Sequence, residues 1–346
     1  MELKRLVKKE VALLRAYQAA EVPCRVKLDA NESPYGFRPA LRAAAAVQTN
    51  RYPDPEAKKL RKMLARELGV MPQNILQGNG SDEIIYNLVA TYGGPVLYPV
   101  PTFSMYGIIS RILGEKNVMV SLDREFDLDE GKMLEGIRKS RPKIVFLSSP
   151  NNPTGNCFSS DRILRIIEAS QGIVVVDEAY QPFASEKGFL PLLKDFRNLV
   201  IMRTLSKIGL AALRFGFLVA DEEIIKEVNK VRLPFNVNAL SQAVAVEALK
   251  DRKALRTAVR TIAAERDRLM EAMEGIGWVT PFPSEANFIL FRVSDPAKVH
   301  AGLLRRGVLV RNVADAVKGC LRVTVGTPQE NRIFLHALRS CAEKSS

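Results

Sequence analysis

Leu199-Val200-Ile201-Met202 is a short apolar run, and Thr204-Leu205-Ser206-Lys207-Ile208-Gly209-Leu210-Ala211-Ala212-Leu213-Arg214 follows it after one residue. The run reads as a buried parallel strand that ends where polar residues begin. Ligands of open α/β sheets gather at the carboxyl ends of strands, so Lys207 stands where chemistry is usually done. The residues alone leave two readings of this lysine open. Most lysines at the ends of elements are solvated surface charges. Beside small and apolar neighbours, a partly desolvated lysine can instead form a Schiff base with a carbonyl.

The stretches before it repeat the pattern. Gly172-Ile173-Val174-Val175-Val176-Asp177-Glu178-Ala179-Tyr180 is the clearest strand of the chain and delivers two carboxylates to the sheet edge. Lys143-Ile144-Val145-Phe146-Leu147 ends in a dense polar turn, Ser148-Ser149-Pro150-Asn151-Asn152-Pro153-Thr154-Gly155. Pro95-Val96-Leu97-Tyr98 leads to Phe103 at a strand-to-helix corner, where its face can stack on a flat ring or simply fill the core. Helical stretches such as 162–169 alternate with these strands, which gives an α/β domain with a mostly parallel sheet.

Beyond Arg214, Phe215-Gly216-Phe217-Leu218-Val219 adds a strand, and helical patterns run on to about Met273. The last part alternates Phe288-Ile289-Leu290-Phe291, a helix around 297–306, Val308-Leu309-Val310-Arg311 and Cys320-Leu321-Arg322-Val323-Thr324-Val325-Gly326, a small α+β unit. The expected division is an N-terminal arm with part of the small domain over 1–44, a large domain over 45–245 and a small α+β domain over 246–346.

Three loops stand out. Lys27-Leu28-Asp29-Ala30-Asn31-Glu32-Ser33-Pro34-Tyr35-Gly36 has the Pro, Gly and Asn content of a loop that carries function. Arg51-Tyr52-Pro53-Asp54-Pro55 is a stiff loop ahead of an amphipathic helix expected from about Glu56 to Leu68, with Ala57, Leu60, Met63 and Leu64 on one face. Read alone, Tyr52 is a packing aromatic. Gln77-Gly78-Asn79-Gly80-Ser81-Asp82-Glu83 precedes a helix, so its backbone N–H groups can cradle a phosphate or merely begin a capped helix. It lacks the Walker spacing, which argues against an NTPase.

Totals narrow the classes. The chain has 346 residues, 47% hydrophobic and 26% charged, enough for a substantial core. No run has the apolar length of a membrane span, and the first residues lead to no secretory h-region. Four scattered cysteines without a CxxC pair argue against a zinc site or disulfide framework and for a reducing cytoplasm. The net charge of +13 is spread among acidic residues, which suits a solvated basic surface, and in part anionic substrates, better than nucleic acid. Two histidines, His300 and His336, lie far from every motif and exclude His-based triads and multi-His metal sites.

One ligand makes the separate signals coherent. A phosphate held by Gly80, Ser81, Asp82, Ser206 and Arg214, a ring over Phe103, a carboxylate at Asp177 and an aldehyde on Lys207 describe pyridoxal phosphate. Asn152 and Tyr180 can hydrogen-bond the ring's phenolic oxygen. With these motifs quoted, the chain resembles the fold-type I aminotransferases over nearly its whole length, and among them the histidinol-phosphate aminotransferase family. The carriers are the loops from Leu28 and Arg51, Gly78-Asn79-Gly80-Ser81-Asp82-Glu83, Asn151-Asn152-Pro153-Thr154-Gly155, Asp177-Glu178-Ala179-Tyr180 and Thr204-Leu205-Ser206-Lys207. Six residues separate Lys207 from Arg214 where many relatives have seven, and Phe103 stands where relatives often carry tyrosine.

The resemblance implies transamination of L-histidinol phosphate to imidazole-acetol phosphate, with 2-oxoglutarate as acceptor. It implies Lys207, Asp177 and Tyr180 as catalytic residues, and Thr204 beside Ser206 among those that hold the cofactor. It implies a homodimer in which Tyr52 reaches the partner's cofactor phosphate. Arg322 is matched to the substrate carboxylate, Arg311 with Tyr17 to its distal end, and Asn31 to the substrate side. Three rivals are a threonine-phosphate decarboxylase, an aromatic or broad-specificity aminotransferase, and a non-catalytic cofactor-binding domain of a regulator.

Overall fold

A computed structural model of the chain describes residues 3–12, 14 and 22–341. In chain order the strands are β1 (Val26–Leu28), β2 (Ile75–Gly78), β3 (Val96–Val100), β4 (Asn117–Ser121), β5 (Ile144–Ser148) and β6 (Ile173–Asp177). They continue with β7 (Leu199–Thr204), β8 (Gly216–Ala220), β9 (Thr280–Pro281), β10 (Phe288–Arg292), β11 (Val308–Asn312) and β12 (Cys320–Thr324). The large sheet has seven strands in the order β2-β8-β7-β6-β5-β3-β4. From β7 across to β4 all neighbours are parallel, whereas β8 runs antiparallel to both β7 and β2. The sheet is mostly parallel, in line with the sequence expectation.

Period-two alternation explains the unbroken apolar runs. Val145, Leu147, Val174 and Val176 pack into the core on one face, and Ile144, Phe146 and Val175 into the core on the other. A strand covered by helices on both faces has no side left for polar residues. Each such side chain taken out of water contributes about 1.5–3 kcal/mol.

The reversed strand β8 brings its first residue to the edge where β5, β6 and β7 end. Gly216 pairs with Thr204 on one side and Gly78 on the other. Asp177 pairs with Ser148 and Met202. Gly78, Gly216, Thr204, Asp177 and Ser148 therefore line one edge of the sheet, although the first two are 138 positions apart.

The second sheet has the order β1-β11-β12-β10-β9, with β1 parallel to β11 and the other pairs antiparallel. A 23-residue helix, Arg252–Glu274, spans both units. Near its start Leu255 packs into the core of the large sheet, and further on Ile262, Leu269 and Met273 pack into that of the small one. Among the described residues no helix is long and apolar enough to cross a membrane.

One helix start differs from expectation. The helix read from Glu56 begins at Lys58, because the Asp54 carboxylate accepts the N–H groups of Glu56 and Lys58 and Ala57 takes φ 45°. Ala57, Leu60 and Leu64 are nonetheless buried on one face.

The edge depends on a close backbone approach. A Cβ on Gly216 would come within 2.8 Å of the Gly80 carbonyl carbon and the Ser81 nitrogen, both backbone atoms. Gly216→Ala should destabilise the protein by about 1–3 kcal/mol, the usual cost of overpacking, as read from its urea midpoint. An unchanged midpoint would show that the 78–81 turn yields freely.

Candidate active site

A cavity of about 400 Å³ opens at this edge. Lys207 enters it from the single turn Ser206–Ile208 that follows β7. Its Nζ lies 5.6 Å from the centre of the Tyr180 ring. The turn is fixed from below: Thr204 Oγ1 donates to Ser206 Oγ at 2.9 Å and accepts the Ser206 N–H at 3.1 Å. Ser206 and Thr204 are buried and line the same cavity.

Asp177, the last residue of β6, is 4% exposed. Its Oδ2 accepts the Tyr106 hydroxyl at 2.7 Å and its Oδ1 the Ala179 N–H at 3.0 Å. Burial pushes its pKa up to about 6, against the pull of the Tyr106 hydrogen bond, the Ala179 N–H and the Lys207 charge. Such a carboxylate favours a cation against it. Tyr106 is fully buried and stacks on Phe146 with ring centres 4.6 Å apart. Phe103, on the cavity wall, meets Tyr106 edge-on at 5.6 Å.

At the other end the cavity has the character of an anion cradle. Gly80 precedes the helix Ser81–Tyr92 with φ 84°, and no side chain caps that helix start. The helix N-terminus therefore offers uncapped N–H groups and the positive end of its dipole. A Cβ on Gly80 would lie 2.6 Å from Arg214 Nη2, so only glycine lets the guanidinium close over the turn. Arg214 also reaches the Asp82 carboxylate at 3.4 Å, and Ser81, Asp82 and Arg214 all line the cavity. A primary amine, a buried carboxylate, an aromatic wall and this cradle fit the aldehyde, pyridine nitrogen, ring and phosphate of pyridoxal phosphate.

A second compartment of about 410 Å³ shares Phe103, Asn152, Tyr180 and Lys207 with the first. It adds Asn31, Arg311 and Arg322. Arg322, 8% exposed, donates from Nη2 to the Asp29 carbonyl at 2.8 Å and from Nη1 to Asn152 Oδ1, and its guanidinium lies over Phe288. Arg311 is its register partner across β11 and β12. Asn31 donates to the Tyr180 hydroxyl at 2.9 Å, which leaves the phenolic hydrogen of Tyr180 to be donated elsewhere. Thr324 and Asn287 hold the Asn31 backbone in turn.

The expected site residues thus converge, with two exceptions. Tyr52 is 83% exposed, stacks on Phe235 at 4.6 Å and lines neither compartment of its own chain. Tyr17 lies outside the described residues. Tyr106 was not foreseen; an aromatic in the apolar stretch of the helix Met105–Ile112 reads as core, and only its hydroxyl distinguishes it. Among the described residues no group of three or more His, Cys, Asp or Glu is placed to hold a metal ion.

Comparison with known proteins agrees with this geometry. The family profile described as aminotransferase class I and II matches residues 18–338. A histidinol-phosphate aminotransferase of Aquifex aeolicus is 43% identical, covering 99% of each chain. One from Caldanaerobacter subterraneus is 39% identical over 97% of this chain and 99% of its own. The crystal structure of histidinol-phosphate aminotransferase from Sinorhizobium meliloti in complex with pyridoxal 5′-phosphate superposes with a TM-score of 0.87 at 26% identity, covering 98% of each chain. Sequence, fold and cavity lead to one conclusion: the chain belongs to the aminotransferase class I and II family.

Proposed function

We propose that the chain is a pyridoxal-phosphate-dependent enzyme that moves the amino group of L-histidinol phosphate to 2-oxoglutarate, giving imidazole-acetol phosphate and L-glutamate in histidine biosynthesis. The observation that carries the reading is the placing of Lys207 between the buried Asp177 and the Arg214 cradle on one side and Arg322 on the other. The two relatives quoted above, matched over nearly their full length, support the substrate.

Pyridoxal phosphate, when bound, supplies a ring that accepts the electron pair released at the substrate's Cα. The chain's own residues do the rest. Lys207 would hold the aldehyde carbon and, once freed by the incoming amine, its Nζ would take the proton from the substrate's Cα and deliver it to the former aldehyde carbon. Asp177, whose Oδ2 accepts the Tyr106 hydroxyl, would hold a proton on the pyridine nitrogen. Asn152 and Tyr180 would orient the ring's phenolic oxygen, Tyr180 with its hydrogen left available by Asn31. Gly80, Ser81, Asp82, Thr204, Ser206 and Arg214 would hold the phosphate end.

Arg322 and Arg311, side by side on adjacent strands, suit substrates that carry an anion away from the reacting carbon. Both the phosphate ester and 2-oxoglutarate meet that description. The resemblance assigns Tyr17, which lies outside the described residues, to the same end of the substrate. We place the enzyme in the cytoplasm as a homodimer, with Tyr52 reaching the partner's cofactor phosphate. The exposed Tyr52, stacked on Phe235 with the exposed Leu233 two residues before it, supports self-association at this place.

In purified protein, histidinol phosphate should abolish the absorption band of the bound cofactor and 2-oxoglutarate should restore it. Carbon dioxide release from threonine phosphate, with the band indifferent to histidinol phosphate, would make the protein a decarboxylase instead. Lys207→Ala should lower turnover by at least about 10²–10⁴-fold while the protein stays folded. Turnover close to wild type would remove Lys207 from the mechanism.

Tyr106→Phe removes a hydrogen bond to a charged acceptor, about 1.5–3 kcal/mol, so the cofactor should bind roughly ten- to a hundredfold more weakly to the cofactor-free protein. Equal affinity in a fluorescence titration would leave Tyr106 a packing residue. Because the Asp177 pKa rises from 3.8 to about 6, the folded cofactor-free protein holds this proton more tightly than the unfolded chain. Stability from this group should therefore fall as pH rises from 4 through 6, and Asp177→Asn should flatten that part of the urea-midpoint profile.

A further inference from the structure

A second cavity, of about 540 Å³, lies behind the same strand ends and shares only Thr204 with the first. Successive residues divide between the two. Asp177, Ser206 and Lys207 line the active-site cavity, whereas Glu178, Leu205 and Ile208 line the second. Its apolar walls include Leu64 of the helix Lys58–Leu68, Phe217 of β8, and Leu255 and Val259 of the helix Arg252–Glu274, beside Leu205 and Ile208.

Its charge is lopsided. Arg252, Arg256 and Arg260 recur every four residues along one side of the long helix, and Arg203 joins them from β7. Two carboxylates, Glu67 and Glu178, face these four guanidinium groups. Glu178 is already committed: Arg203 donates to its Oε2 from Nε at 2.8 Å and Nη2 at 2.6 Å, and the Phe189 N–H donates to its Oε1. Arg252, Arg256 and Arg260 have no carboxylate partner among the described residues, and the one hydrogen bond among them runs from Arg260 Nε to the Arg256 carbonyl at 3.4 Å.

An exposed row of arginines over a polar surface needs only water. Here the row borders a hollow with apolar walls, which water fills poorly and which a flat or branched apolar body fills well. We propose that this cavity is a binding site for a small organic anion, an apolar body bearing a phosphate or carboxylate, held by the guanidinium groups of Arg252, Arg256 and Arg260. Planar guanidinium forks match both anions. The site also locates part of the chain's +13 charge on one feature. None of these three arginines lines the active site, so the proposal stands apart from the transamination reading.

Phenyl phosphate is the probe, titrated calorimetrically into the holoenzyme at fixed ionic strength. Arg322→Gln weakens any binding in the active site, and Arg256→Glu with Arg260→Glu reverses two charges at the second cavity. These two residues are exposed, so the double variant should keep its melting temperature, cofactor band and transaminase activity. A binding step that persists in Arg322→Gln and weakens by at least about tenfold in the double variant is the expected result. No phenyl phosphate binding in Arg322→Gln, or binding there indifferent to the charge reversal, would overturn the proposal. Inorganic phosphate binding as tightly as phenyl phosphate would overturn its organic part.

Discussion

Asp177 is a carboxylate held almost out of water at the end of the apolar strand β6. Desolvation makes its charge expensive, and the Tyr106 hydroxyl and Ala179 N–H offset only part of that cost, which is why its pKa settles near 6 rather than near 4. A group in that state is an incomplete ion pair. A protonated ring nitrogen of pyridoxal phosphate would complete it, so the pocket that looks strained without a ligand is pre-organised for a cation. Tyr106 belongs to that arrangement as much as to the core, with one face on Phe146 and its oxygen on the carboxylate.

The other half of the site rests on backbone proximity. Because β8 is reversed, Gly216 meets the Gly78–Ser81 turn, and that turn in turn meets Arg214, which follows β7 by only ten residues. Two glycines with no room for a Cβ hold the helix N-terminus and the guanidinium against each other. The same sheet edge thus presents a positive cradle and a buried negative group on either side of a lysine. A ligand with a dianionic end and a cationic ring nitrogen is oriented by charge before any finer contact is made.

Much of this was legible in the sequence because it is local. The apolar runs of β5, β6 and β7 and the polar residues that end them read directly as strands with functional carboxyl edges. The direction of β8 did not, since Phe215-Gly216-Phe217-Leu218-Val219 has the same pattern whichever way it runs. Contacts between distant residues were equally hidden: Asn31 on Tyr180 and Arg322 on Asn152 join positions 149 and 170 apart. Tyr106 was masked by its own neighbours, for a helix face of Met, Ile and Tyr looks like packing. The start of the helix at Lys58 was set by an Asp54 side chain, which pattern alone does not weigh.

The alternation that builds a strand also gives the active site two sides. Asp177 and Glu178 share a peptide unit, yet one belongs to the cofactor cavity and the other to the cavity behind it. Glu178 is enclosed by Arg203, by the Phe189 N–H and by Gly188, where a Cβ would come within 2.4 Å of its Oε1. Removing one partner from a buried ion pair commonly costs about 3–5 kcal/mol, because the remaining charge has nowhere to go. The turn that carries Asp177 and Tyr180 is therefore held in place from behind, by contacts that touch neither cofactor nor substrate. Precision at Lys207 depends on both faces of the sheet edge.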